Sequence, residues 1–368
     1  MSQSLVRRIY LALGRPPSAQ TPERAALLLQ GAKTALAAGL CYWLSLRFGL
    51  HEGYWSAISA IIVLQSNVGS TITASRDRLI GTAIGALIGW AAAPWGPHPL
   101  AFAIAVLAAV LICSGLGLKN SSRLAGVTVS IVMLVQRNGS HWRIALDRFF
   151  EVALGIVVAL AVSTFVLPRR ARRHLQQGLS QEFTSLGQVF EAVMSSFRNQ
   201  PDETLADQKQ HLEQLILSND GLLKAARNEP SSGAASLEGL AVLAESGRAL
   251  SDAVLALDLA VRESAGDQFA SRYEPELGNL ISAIGHSFPQ LALCIRQWRF
   301  DTAPTSLDME GELSALESRV SEVRHTSVDF PLDEMLRIYA VQLHLKQIAR
   351  RLHSALRDAL EAVPPAEG

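Results

Sequence analysis

The residues with the greatest capacity for chemistry lie between positions 51 and 78. His51-Glu52-Gly53-Tyr54-Trp55 opens the segment, an aliphatic run from Ser56 to Leu64 follows, and amides and hydroxyls then crowd together at Gln65, Ser66, Asn67, Ser70, Thr71 and Thr73. Hydrocarbon offers no hydrogen bonds, so polar side chains that continue an apolar helix must face protein, water or a substrate. Tyr54, Trp55, Gln65, Ser66, Asn67 and Thr71 therefore make a candidate translocation path. The same residues also fit a solvated cytoplasmic loop after a span that ends near Gln65. Arg76 and Arg78 follow in a basic turn. Lys33 stands inside another apolar run, on the order of 13 Å along the helix from Arg24 at 1.5 Å rise per residue. A buried ammonium needs an acceptor or a water-filled path. Lys33 thus either binds an anionic substrate or, if its helix starts later, reaches the inner headgroups. Lys33, Arg76, Arg78, Lys119 and Arg123 together would ring an inner mouth and concentrate anions. At the other end of the sequence pattern, Asp147, Arg148 and Glu151 cluster; Glu151 either exchanges a proton with the outside or pairs with Arg148.

Gly81, Gly85 and Gly89 recur every four residues, which places bare backbone on one helix face and permits close helix packing. Catalytic and cofactor signatures are missing from the sequence. It holds no Gly-x4-Gly-Lys-Ser/Thr loop, no His-Glu-x2-His pair, no Gly-x-Ser-x-Gly elbow and no clustered Cys/His ligands, so neither an enzyme, a metal, a cofactor nor a nucleic-acid partner is expected. Cys41, Cys113 and Cys294 are far apart and read as small hydrophobes.

The elements that must position these residues follow from charge and hydropathy. The 368 residues carry a formal charge of zero, but residues 1–168 hold 13 Lys/Arg against 5 Asp/Glu, while residues 169–368 hold 20 against 28. Neutrality is thus a cancellation between a half at +8 and a half at −8. Residues 100–118 carry no charge at all, over about the length a bilayer-spanning helix needs, which excludes a single soluble domain. Six apolar segments are expected to span the membrane: 25–46, 54–72, 79–95, 100–118, 122–136 and 148–167. A cleaved signal peptide is not expected, because Pro-rich polar sequence precedes the first segment and no small-residue cleavage site follows it. Twelve flanking Lys/Arg gather on one side of these segments and four on the other, which puts both termini in the cytoplasm. Pro168 and the run Arg169-Arg170-Ala171-Arg172-Arg173 would end the sixth span at an anionic inner leaflet.

Beyond that run, amphipathic helices are expected at 169–199, 204–228, 234–264, 275–299, 308–325 and 331–362, separated by polar Pro/Gly breaks. In the last of them Leu332, Leu336, Tyr339, Leu343, Ile348, Leu352 and Leu356 approximate one stripe, fit for bundle core or for a partner subunit. The expected fold class is all-α: a cytosolic N-terminal segment over 1–24, a six-helix transmembrane bundle over 25–168 and a cytosolic helical bundle over 169–368.

Two stretches carry a resemblance to a known family. Glu52-Gly53-Tyr54-Trp55 with the aliphatic run to Gln65, and Ser75-Arg76-Asp77-Arg78-Leu79-Ile80-Gly81-Thr82-Ala83-Ile84-Gly85, resemble the fusaric acid resistance and aromatic acid exporter family of bacterial inner-membrane proteins. The motif covers about 40 residues, and the layout of six spans plus a cytosolic helical region agrees along the whole chain. The resemblance implies export of small organic, aromatic carboxylic anions, driven by the proton gradient and working with or without a periplasmic partner. Longer members contain two copies of the unit, which implies that two chains of this length pair as a homodimer. Plant aluminium-activated malate channels are similar in layout and also pair two chains around an anion path. A passive anion channel stays open beside export, as does a membrane scaffold whose cytosolic bundle recruits a partner.

Overall fold

Long runs of good helix formers, broken by Pro, Gly and Asn, fold into helices throughout. The computed structural model describes residues 21–50, 52–96, 98–135, 141–167, 170–197, 202–229, 236–264, 274–300, 309–324 and 332–361. The described residues form twelve α-helices, one short 3-10 turn at Ala93–Trp95 and no strand. The expected segment 1–24 falls mostly outside them. The chain divides between Arg170 and Ala171 into two units.

The first unit comprises α1 (Thr21–Arg47), α2 (Tyr54–Val63), α3 (Val68–Ala92), α4 (Pro99–Gly115), α5 (Lys119–Leu134) and α6 (His141–Phe165). α3 is its hub, packed against both α5 and α6; α4 lies on α5, and α1 with α2 completes the side formed by α6. Bare backbone sets the closest approaches. A Cβ on Gly81 would lie 2.6 Å from the Ser121 carbonyl oxygen, one on Gly89 would lie 2.9 Å from Val132 Cβ, and one on Gly85 would overlap the Ala125 carbonyl. Gly155 on α6 meets α2 in the same way at Ser56 and Ser59. Small residues such as Ala37, Cys41, Ala60 and Ala159 fill the interior on one side, and Ala105, Ala109, Cys113 and Ala125 on the other.

Among the described residues no helix is long and apolar enough to cross a membrane. Two physical causes stand out against the expectation of six spans. α2, α4 and α5 contain only 10, 17 and 16 residues. The longer α1, α3 and α6 carry Lys33, Arg78, Arg148 and Glu151 on buried faces, which lowers their average hydropathy.

The structure also moves the second expected boundary. The segment 54–72 is not one helix: α2 stops at Val63, Leu64 turns extended (ψ 106°), and Asn67 starts α3 as an N-cap whose Oδ1 accepts the Ser70 N–H at 2.8 Å. Arg76-Asp77-Arg78, expected as a turn between two spans, lies inside α3. Asn67 supplies the start signal and nothing between Val68 and Ala92 breaks the helix, so the turn falls upstream at 64–67.

The second unit comprises α7 (Ala171–Phe197), α8 (Leu205–Ala226), α9 (Leu237–Ser264), α10 (Glu274–Gln297), α11 (Glu310–Arg324) and α12 (Leu332–Glu361). α7 is central, with α8, α9 and α10 against it and α12 on α9. Its core is continuous and built from large residues, including Phe183, Leu186, Phe190, Leu250, Leu257 and Phe288. The Glu229 carboxylate closes the start of α7 by accepting the backbone N–H groups of Ala171 (2.7 Å) and Arg172 (3.3 Å). On α12 the buried stripe is Val341, Leu345, Ile348, Leu352, Ala355 and Ala359, a 3.5-residue period, whereas Leu336 and Leu343 from the expected stripe are exposed.

Candidate functional site

Buried hydroxyls and charges run along the inside of the first unit. On α3 the spacing 71, 75, 78, 82 puts Thr71, Ser75, Arg78 and Thr82 on one face, and all four are buried. Facing them are Ser59 on α2 and Ser163 on α6. The Ser163 hydroxyl donates to Thr71 Oγ1 at 3.3 Å, and Thr71 Oγ1 also accepts the Gln65 N–H at 3.0 Å across the break between α2 and α3. Arg78 Nη2 reaches Ser59 Oγ at 3.5 Å, a long and weak hydrogen bond. Arg78 is 3% exposed. Its Nε, together with Ser75 Oγ and Thr82 Oγ1, has no hydrogen-bond partner among the described residues, and no carboxylate pairs with Arg78 there. A guanidinium taken out of water without a counter-charge is costly, so this arrangement suits a site where an anion or water completes the shell.

The seam continues away from Arg78 in both directions. Toward the turn between α1 and α2, Ser45 Oγ lies 2.7 Å from Ser56 Oγ, and both bond backbone carbonyls that helix geometry leaves within reach. Beyond them Arg148 pairs with Glu151 at 3.0 Å and with Glu52, and its guanidinium lies 4.7 Å from the centre of the Trp55 ring. Glu52 also accepts from Trp55 Nε1 and from the Tyr54 hydroxyl, each at 3.1 Å. Arg148 and Glu151 are 2% and 1% exposed, so this is a desolvated ion cluster with two carboxylates around one guanidinium. At the opposite end, where α6 gives way to the connector, Lys33 Nζ donates to the Leu167 carbonyl oxygen at 2.7 Å. Leu167 has a positive φ of 48°, so the ammonium holds a left-handed turn just past the end of α6, where helix carbonyls concentrate negative partial charge.

The sequence-derived site residues thus separate into groups. Thr71 and Arg78 meet in the seam. Trp55 and Glu151 meet at Arg148, and Tyr54 joins them through Glu52. Asn67 is buried as the N-cap of α3, and Lys33 is buried at the end of α6. Gln65, Ser66 and Arg76 are exposed, the Gln65 side chain donating to the Ile62 carbonyl of its own turn. Ser45, Ser56, Ser59, Ser75, Thr82 and Ser163 escape a reading by polarity because single serines and threonines in apolar helices are common. The signal for Ser75 and Thr82 was their helical spacing with Thr71 and Arg78.

Residues 28–366 match the fusaric acid resistance protein family. The chain belongs to this family. One relative is the inner membrane protein YccS of Escherichia coli, 23% identical over 187 residues, which is 50% of this chain and 26% of YccS. Another is an uncharacterized protein of Schizosaccharomyces pombe, 26% identical over 211 residues, covering 49% of this chain and 15% of that protein. The chain therefore spans about a quarter or less of the length of either relative.

Proposed function

We propose that the chain is an inner-membrane exporter of small organic anions, aromatic carboxylates in particular, which pass along the polar seam of the first unit. One observation carries the reading: Arg78, a buried guanidinium that reaches only the Ser59 hydroxyl, shares its helix face with Thr71, Ser75 and Thr82, and lacks a carboxylate partner among the described residues. Export rather than anchoring suits such a group, because a helix bundle that served only as an anchor would gain stability from an apolar residue in its place.

The membrane location rests on the exterior of the first unit. Of the large apolar side chains that are exposed among the described residues, 28 belong to the first unit and 6 to the second. A surface carrying Leu107, Leu111, Ile112, Leu87 and Trp90 around a polar interior fits hydrocarbon surroundings. In this reading the six helices, none of which is long and apolar enough to cross by itself, form the membrane bundle through their joint apolar exterior, both termini face the cytoplasm, and the second unit is the cytosolic bundle. YccS is an inner membrane protein by name, which agrees with this placement. Proton coupling is assigned to the Glu52–Arg148–Glu151 cluster, where a second carboxylate around one cation gives a proton a place to bind, with Glu151 as the exchanging group. Two chains pair as a homodimer in this reading.

Purified full-length protein in proteoliposomes tests the proposal. Benzoate flux is expected to rise with an imposed pH gradient, to drop at least tenfold in Arg78→Gln and to change less than twofold in Arg76→Gln, whose side chain is exposed. Gradient-independent flux identifies an anion channel instead. Absence of flux in the wild type favours a scaffold and discards the transport reading.

A further inference from the structure

Resting on the transport reading, we propose that the Glu52 carboxylate fills an exit site for an aromatic carboxylate and is exchanged for substrate there. The site is built from Arg148, the Trp55 indole N–H and the Tyr54 hydroxyl, all three directed at Glu52. A cation, two neutral donors and an aromatic wall are the partners a benzoate-like anion requires. The guanidinium holds the carboxylate, the indole and phenol supply further hydrogen bonds, and the rings of Trp55 and Tyr54, 5.6 Å apart and 36° from coplanar, give a surface for an aromatic ring. Glu52 presents the same functional group as the substrate, tethered to the protein.

The two carboxylates on Arg148 are not equivalent. Glu151 lies three residues from Arg148 on the same helix, α6, and its side chain is 2% exposed, so it stays beside the guanidinium and out of water. Glu52 sits in the short turn before α2, its side chain 17% exposed against 2% for Arg148. It is therefore the partner that can swing toward water. Arg148 keeps Glu151 when Glu52 departs, so with Glu151 ionised the exchange leaves the guanidinium a counter-charge. Arg148 Nε has no hydrogen-bond partner among the described residues, which leaves one donor of its fork available to an incoming carboxylate. A tethered competitor lowers affinity at this end of the seam, which favours release over retention.

Calorimetric titration of benzoate into the full-length protein tests the idea. Glu52→Gln removes the competing charge and should bind benzoate at least tenfold tighter than the wild type. Adding Trp55→Phe should reverse most of that gain, and acetate, which has no ring, should show little of it. A Glu52→Gln protein that binds benzoate no tighter, or whose gain ignores Trp55, overturns the proposal. The wild type gives an independent readout should that variant misfold: saturating benzoate should raise hydrogen exchange across residues 52–56 and leave α6 unchanged, and no rise sinks the exchange. Benzoate flux separates this site from the transport reading. Flux in the wild type without a gain in Glu52→Gln discards the Glu52 site alone. A gain in binding without flux from any variant discards transport and keeps a carboxylate site.

Discussion

The two units solve helix packing in opposite ways. In the second, Phe183, Phe190, Phe288 and a leucine core are buried and charges cover the outside, with ion pairs such as Arg248–Asp220 at 3.0 Å and Arg319–Glu322 at 2.8 Å on the surface. In the first, leucines and tryptophans are outside while serines, threonines, Lys33, Arg78, Arg148 and Glu151 are inside. Water drives the arrangement of the second unit by expelling apolar surface. In the unit formed by α1–α6, glycines and alanines allow helices to approach closely and polar groups find each other within. The lesson is that one family of helical sequence uses size complementarity in one unit and polarity in the other.

Substitutions that remove size or polarity can break this contrast. The largest effect is expected from Phe288→Ala, which empties a fully buried aromatic site in the second unit and should cost about 3–5 kcal/mol. Hydrogen exchange of α7 and α10 in the full-length protein measures it, and protection within about 1 kcal/mol of the wild type would show that this core is not what holds the unit together.

Glu182 is the polar exception in that core. Asn219 Nδ2 donates to it at 2.6 Å, and a Cβ on Gly247 would overlap its other oxygen, so the glycine makes the room it occupies. Burial pushes its carboxyl up to about 7, against the hydrogen bond from Asn219, which lowers it. The folded chain then keeps a proton that the unfolded chain has released above about pH 4.5. Stability should fall as pH rises from about 4.5 to 7, by up to about 3 kcal/mol, and stay level beyond. Glu182→Gln should remove that slope and stabilise the protein at pH 8, as read from thermal unfolding at pH 5 and 8. An unchanged slope would place the titration elsewhere.

Gly85→Val tests the first unit in the same manner. The added side chain meets the Ala125 carbonyl, so α3 and α5 must separate at a cost of about 1–3 kcal/mol. An earlier aggregation midpoint on size exclusion after heating is the expected result. The smallest effect belongs to Leu107→Ala on α4, whose side chain is exposed: a change within about 0.5 kcal/mol in the same assay. A large loss there would mean that this face is covered by protein.

Helix content, the change of character near residue 170 and the glycine spacing of α3 were all legible in the sequence, because periodicity, charge and Pro/Gly punctuation are local properties. The stop at Val63 was half legible. Polar residues after Leu64 signalled an end to apolar sequence, yet the same polarity suited a loop, a continued span or a cap, and only the Asn67 side chain on the Ser70 N–H decides for a cap. Arg76 and Arg78 are alike in the sequence and differ by two helix positions, about 200° around α3, which exposes one and buries the other.

Sequence alone therefore determined which residue types are available and on which helix face they recur, since both follow from 3.6 residues per turn. Tertiary structure alone decided which of those faces meet. Glu52 and Arg148 lie nearly a hundred positions apart, as do Thr71 and Ser163, and Lys33 finds Leu167 across the whole first unit. No local rule pairs them; they come together because α1, α2, α3 and α6 pack around one interior, which supplies Lys33, Arg148 and Glu151 with partners and leaves Arg78 without a carboxylate among the described residues.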